Sequence, residues 1–248
     1  MMRASSRPST PGRLFLLRAF LPGAGSGGRA VVLAALAVAA MSASSMSQQG
    51  AAATVTFTLD FPASNPTHYS IAVDEAGHAR YECTGKVAED SEEQAYRSEF
   101  EVSPGNRDRI FNWAKQARYF AGEIDSGNHK LANTGTKLLS YQDGRRSSTA
   151  RYNFSNLAAV QQLTALFQNM AGTLEFGWRL AYYHRYQKLA LDDELKRMET
   201  LARNHELSEI QGVAPVLQEI LEDTSVINVV RARAKELMRM GSSATAGH

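Results

Sequence analysis

Residues 54–61 read Thr-Val-Thr-Phe-Thr-Leu-Asp-Phe, so Val55, Phe57, Leu59 and Phe61 alternate with Thr54, Thr56, Thr58 and Asp60. A period of two puts one apolar and one wet face on a strand. Residues 68–74 alternate again through Tyr69, Ile71 and Val73. Asp74-Glu75-Ala76-Gly77 then turns the chain into a returning strand with Ala79, Tyr81 and Cys83 on one face, which predicts a β-hairpin. A fourth strand, 95–102, carries Tyr96, Ser98, Phe100 and Val102 on one face. Ser103-Pro104 reads as an N-cap and a first-turn proline. The helix it opens, 104–118, presents Ile110, Phe111, Ala114 and Ala117 at helical spacing and ends near Tyr119-Phe120 and Gly122. After the polar loop 121–135, strands 136–142 and 146–154 flank Asp143-Gly144, a strong hairpin turn.

From Asn156 onward the period changes. Leu157, Val160, Leu163, Leu166, Phe167, Met170 and Leu174 follow helical spacing, and the pattern extends through Phe176, Leu180 and Tyr183. Asp192 reads as the N-cap of a helix bearing Leu195, Met198 and Leu201. Leu207, Ile210, Pro215, Leu217, Ile220 and Leu221 form a further segment that breaks at Asp223-Thr224-Ser225. A last helix holds Val226, Val229, Val230, Ala234 and Leu237. The expected fold class is α+β: an antiparallel sheet with a packed helix (54–154), an all-helical C-terminal region (155–240), and a flexible tail (241–248).

Two resemblances follow from these residues. Tyr69-x-Ile71-x-Val73-x-x-x-Gly77-x-x-x-Tyr81 leads to a helix ending at Tyr119-Phe120, a polar loop with Asp125, Thr134-Gly135-Thr136 before a strand, and a closing helix. Over about residues 55–170 this resembles a family of small uncharacterised exported bacterial domains, which implies an exported bacterial protein. Members of that family often carry a cysteine near the first hairpin, where this chain has Asn65-Pro66. Ala214 to Val226 is similar to the turn of a HEAT-type helical pair, and only one such unit is visible, whereas solenoids stack several.

The leader agrees with export. Ala30 to Met41 is a 12-residue apolar run behind Arg29, followed by Ser42-Ala43-Ser44-Ser45. It is short for a bilayer span and suits the core of a signal peptide, so residues 1–45 are expected to be a cleaved leader and the body periplasmic or secreted. Membrane attachment is expected only if the leader stays uncleaved, and a mitochondrial-type presequence is the other reading of the acid-free first 59 residues. The formal charge of +2 comes from the leader: setting aside Arg3, Arg7, Arg13, Arg18 and Arg29 leaves 22 basic against 25 acidic residues. That balance, with no basic stripe, argues against nucleic acid as a partner. Cys83 is the single cysteine, which rules out an intrachain disulfide.

No catalytic or metal signature emerges. The six histidines have no H-E-x-x-H spacing, although His68 and His78 could meet across the first hairpin. The chain has no G-x-S-x-G, no P-loop and no G-x-G-x-x-G within the body, so no cofactor is implied. Two clusters suit binding: Trp178, Tyr182, Tyr183 and Tyr186 with Arg179 and Arg185, and Arg145, Arg146 and Arg151 around the last hairpin. The leading expectation is a non-enzymatic module that binds a protein partner in the cell envelope. The alternatives are a hydrolase-type site assembled around loop 121–135 from Asp125, His129 and Asn133, and a small-ligand carrier with an apolar-lined cavity between sheet and helices.

Overall fold

A computed structural model describes residues 52–128 and 130–246. The leader with its apolar run, and His129, lie outside the described residues. Six strands form one sheet: β1 (Thr54–Asp60), β2 (His68–Asp74), β3 (His78–Gly85), β4 (Gln94–Glu101), β5 (Thr136–Gln142) and β6 (Ser147–Tyr152). Their order is β4-β3-β2-β1-β5-β6, and every neighbouring pair is antiparallel. β1 is central, with Phe57 opposite Ile71 on one side and Leu139 on the other. The period-two pattern holds. Val55, Phe57, Leu59, Tyr69, Ile71, Val73, Tyr81, Cys83, Leu139 and Tyr152 are buried on the inner face. Thr56, Ser70, Arg80, Ser140 and Thr149 occupy the outer face.

The α+β class is therefore observed, with five α-helices among the described residues: α1 (Pro104–Gln116), α2 (Ala158–Tyr186), α3 (Leu191–Arg203), α4 (Ala214–Glu222) and α5 (Asn228–Ala246). α2 covers the inner face of the sheet. Thr164 meets Tyr152 of β6 at 2.6 Å, Phe167 stacks on Phe57 of β1 at 5.5 Å, and Trp178 stacks on Tyr96 of β4 at 5.1 Å. From Thr164 to Trp178 the helix rises about 21 Å, while the distance from β6 to β4 is five strand spacings, about 24 Å. α2 thus runs across the strands from one edge to the other. Its buried face is continuous: Val160, Leu163, Phe167, Met170, Leu174 and Leu180 are all at or near zero exposure. α3 and α4 pack on α2, and α5 packs on α3 and α4, through Leu195, Met198, Leu217, Ile220, Ala234 and Leu237, in the same core as the sheet. Gly177 permits this, since a Cβ there would lie 2.4 Å from Val213 Cγ1.

Several local expectations change. Ser103 occupies the N-cap position of α1, but its hydroxyl makes no cap bond and donates instead to Glu209 Oε1 at 2.8 Å. α1 ends at Gln116, and a 3-10 turn follows in which Arg118, Tyr119 and Phe120 have φ of 54°, 55° and 62°. α3 starts at Leu191, so Asp192 is a first-turn residue rather than the cap; its carboxylate accepts from Arg233 Nε at 3.0 Å. α5 continues past Gly241 to Ala246, where the composition suggests a loose tail. His68 and His78 do not meet. Antiparallel register sets His68 against Thr84, six positions and about 20 Å along β3 from His78.

Candidate functional site

β5 alternates Thr-Lys-Leu-Leu-Ser-Tyr-Gln, and its inward positions are Lys137, Leu139 and Tyr141. A lysine therefore stands in the row of core residues, 4% exposed. Its Nζ donates to Thr134 Oγ1 at 2.8 Å and to the carbonyl of Asn153 at 2.9 Å; the Thr134 carbonyl is farther, at 3.5 Å. Among the described residues no carboxylate oxygen comes within 4.0 Å of it. A buried ammonium without a counter-charge is rare, because desolvation of the ion is uncompensated. Burial accordingly lowers the Lys137 pKa from its ordinary value.

Lys137 lines a cavity of about 430 Å³ between the inner face of β5 and β6 and the first turns of α2. Tyr152, Phe154, Gln161, Thr164 and Gln168 are among the other walls, and every one of the remaining lining residues is neutral. The proton positions on one wall follow from a chain of bonds. Thr164 Oγ1 donates to the Val160 carbonyl at 2.7 Å, so its contact with Tyr152 is made by the phenol donating to it. The Tyr152 oxygen keeps its acceptor capacity, and burial raises its pKa well above the ordinary phenol value, so it stays neutral. Phe154 is 42% exposed and Leu157, next to the start of α2, is 45% exposed, giving the region an apolar outer surface.

The loop 121–135 forms an adjoining depression of about 460 Å³, which shares Tyr152 and Asn153 with the cavity. Asp125 and Asn133 both line it, together with Arg151. Their side chains shape the loop: Asp125 accepts from the backbone N–H of Gly127 at 2.7 Å and of Asn153 at 2.6 Å, and Asn133 accepts from that of Gly135 at 3.0 Å. The hydrolase-type pair is thus brought to one place but engaged in backbone bonds. Arg145 and Arg146 sit at the β5–β6 turn, where Arg146 lies over the Tyr119 ring at 4.5 Å. The three arginines are exposed, and Arg151 stands on the outer face of an edge strand.

The aromatic cluster divides. Trp178 is 9% exposed and stacked on the sheet, so it is a packing residue. Arg179 donates to Glu194 Oε1 at 2.5 Å and reaches Glu175 at 3.8 Å. These three line a second cleft of about 610 Å³ against residues 64–67 and 86–93, with Tyr183 on its wall. Burial pushes the Glu175 carboxyl up to about 7, against the pull of Arg179 and Arg197. Tyr182 is half-buried between Tyr183 and Tyr186. Tyr186 is 62% exposed, with Arg185 over its ring at 5.3 Å. Lys188 Nζ donates to Asp223 Oδ2 and to Ser225 Oγ, both at 2.6 Å, so Tyr186 and Leu189 lie at the same end of the helices as Ile227. Leu189 is 94% and Ile227 62% exposed.

Among the described residues, no group of His, Cys, Asp and Glu side chains is arranged to hold a metal ion, and no helix is long and apolar enough to cross a membrane. No family model and no curated protein matches the chain.

Proposed function

We propose that this is a non-enzymatic, exported binding protein whose ligand is a small organic molecule with an apolar body and an oxygen-bearing head group set against Lys137. The observation that carries this reading is a lysine 4% exposed, lacking a carboxylate partner among the described residues, on the wall of a cavity otherwise lined by neutral groups. An anionic or strongly dipolar oxygen there would receive the one N–H that the protein satisfies only at 3.5 Å. The cavity falls within the size range of small-ligand sites. Calorimetry with straight-chain carboxylates from butanoate to decanoate tests the idea. Affinity should climb with chain length until the cavity is filled, and Lys137→Met should abolish the heat. Equal binding by Lys137→Met, or no binding across the series, would defeat the reading.

The exposed Tyr186, Leu189 and Ile227 favour a second reading, a protein partner in the cell envelope, because exposed large apolar side chains at one end of the helices suit docking. A partner recovered from an envelope fraction by the native protein should be lost with the double variant Leu189→Asp, Ile227→Asp. Recovery by both would count against that surface. Export itself is tested by fractionation and N-terminal mass mapping, with a mature start near residues 45–50 expected.

A further inference from the structure

The two short hydrogen bonds of Lys137 Nζ hold the side chain in place in either protonation state. An ammonium has three N–H donors; a neutral amine has two donors and a lone pair. Two acceptors lie close, Thr134 Oγ1 at 2.8 Å and the Asn153 carbonyl at 2.9 Å, and the third, the Thr134 carbonyl, is at the limit of hydrogen bonding. The pair of short bonds satisfies the amine and leaves its lone pair unused. The elements around it add no negative charge. β6 contributes Tyr152, α2 contributes Gln161, Thr164 and Gln168, and the connection between them contributes Phe154 and Ser155. Asp125 and Arg151 belong to the adjoining depression, and Asp125 is engaged by backbone N–H groups.

We infer that Lys137 captures carbonyl compounds: its Nζ forms a reversible imine with an aldehyde or ketone whose apolar body fills the cavity. The inference rests on the binding reading above and names the ligand class for the same site. The lone pair of Nζ forms the new N–C bond while the carbonyl π pair moves onto oxygen. A proton passes from nitrogen to that oxygen, giving a carbinolamine. The oxygen then takes a second proton and leaves as water as the C=N bond forms. No oxidant or reductant takes part, and hydrolysis reverses the sequence. Two features of the site favour it. Desolvation raises the share of free amine, and no other charged group lines the cavity around Nζ.

The test is reductive trapping on the full chain. The protein is incubated at pH 7 with hexanal and cyanoborohydride, which fixes an imine as a secondary amine, and the modified lysines are located by peptide mass mapping. The chain has seven lysines: Lys86, Lys115, Lys130, Lys137, Lys188, Lys196 and Lys235. Lys137 should be modified on the order of tenfold faster than any other, because the cavity holds the carbonyl beside Nζ. Hexanoate should compete, and the Lys137 rate should level off at lower pH than the rest. Lys137→Arg, which keeps a cation and loses the amine, should remove the fast site while leaving the melting temperature near that of the native chain. Modification of Lys137 no faster than the other six overturns the inference. If hexanoate still gives binding heat in that case, the cavity reading stands without the covalent step; if it gives none, both fall.

Discussion

Ser103 and Glu209, 106 positions apart, are joined by two hydrogen bonds. The Ser103 backbone N–H donates to Glu209 Oε2 at 2.9 Å and its hydroxyl to Oε1 at 2.8 Å. Asn106 Nδ2 adds a third at 2.6 Å, and Gln211 Nε2 a fourth. Glu209 is 6% exposed and holds φ at 58° to reach this position. A carboxylate from the far helical segment thus completes the N-terminus of α1, where negative charge also complements the helix dipole.

Removing that carboxylate leaves buried donors unmet. Glu209→Ala should lower stability by about 3 kcal/mol, read in urea as a lower midpoint at unchanged slope. Glu209→Gln keeps an acceptor and should lose less. Equal stability of Glu209→Ala and the native chain would show that water replaces the carboxylate.

Lys137→Met should not destabilise the fold, since it replaces a buried cation lacking a carboxylate partner among the described residues with an apolar chain of similar length. The pH dependence gives a second check. The folded pKa of Lys137 lies below its ordinary 10.5, so the unfolded chain binds more protons between the two values. Native stability should therefore rise as pH climbs toward 10.5, and Lys137→Met should remove that rise in urea titrations.

Glu175 predicts the opposite slope. Its folded pKa is raised from 4.5 to about 7, so the native state binds more protons over that window. Stability should fall as pH rises from 4.5 through 7, by up to about 3 kcal/mol. Glu175→Gln, with no proton to lose, should flatten the profile. A native profile that is already flat would mean that Arg179 and Arg197 compensate the carboxylate fully.

Trp178→Ala should cost about 3–4 kcal/mol through lost burial and lost stacking on Tyr96. It should leave carboxylate binding at Lys137 unchanged in calorimetry, because Trp178 stacks over the edge strand β4 while Lys137 lies on β5, about 19 Å across the sheet.

The strands and the long helix were legible because one apolar face dominates each. What escaped was where those faces meet. Lys137-Leu138-Leu139 hides the inward lysine, since Leu138 makes the run look apolar on both faces, although Leu139 and Tyr141 fix the inward register and bring Lys137 with it. The Glu209 clamp is invisible locally: a glutamate before Ile210 carries no signal of a bond 106 positions back. The aromatic run 176–186 looks like one recognition surface, but helical rotation sends Phe176 and Trp178 into the core and leaves Tyr186 outside. The loop around Asp125 and Asn133 adjoins the Lys137 cavity, and the sequence drew attention to the acid rather than to the buried lysine.

The placement of α2 orders the birth of the molecule. All six strands precede the helix that spans them, so a ribosome releases the strands, with only α1 among the helices, before the main cover of the sheet exists. A chain stopped at Asn156 would retain every strand and none of α2, and should aggregate, whereas extension past Tyr186 supplies the cover in a single helix. Productive folding is therefore expected to be a late event, timed to the completion of one element.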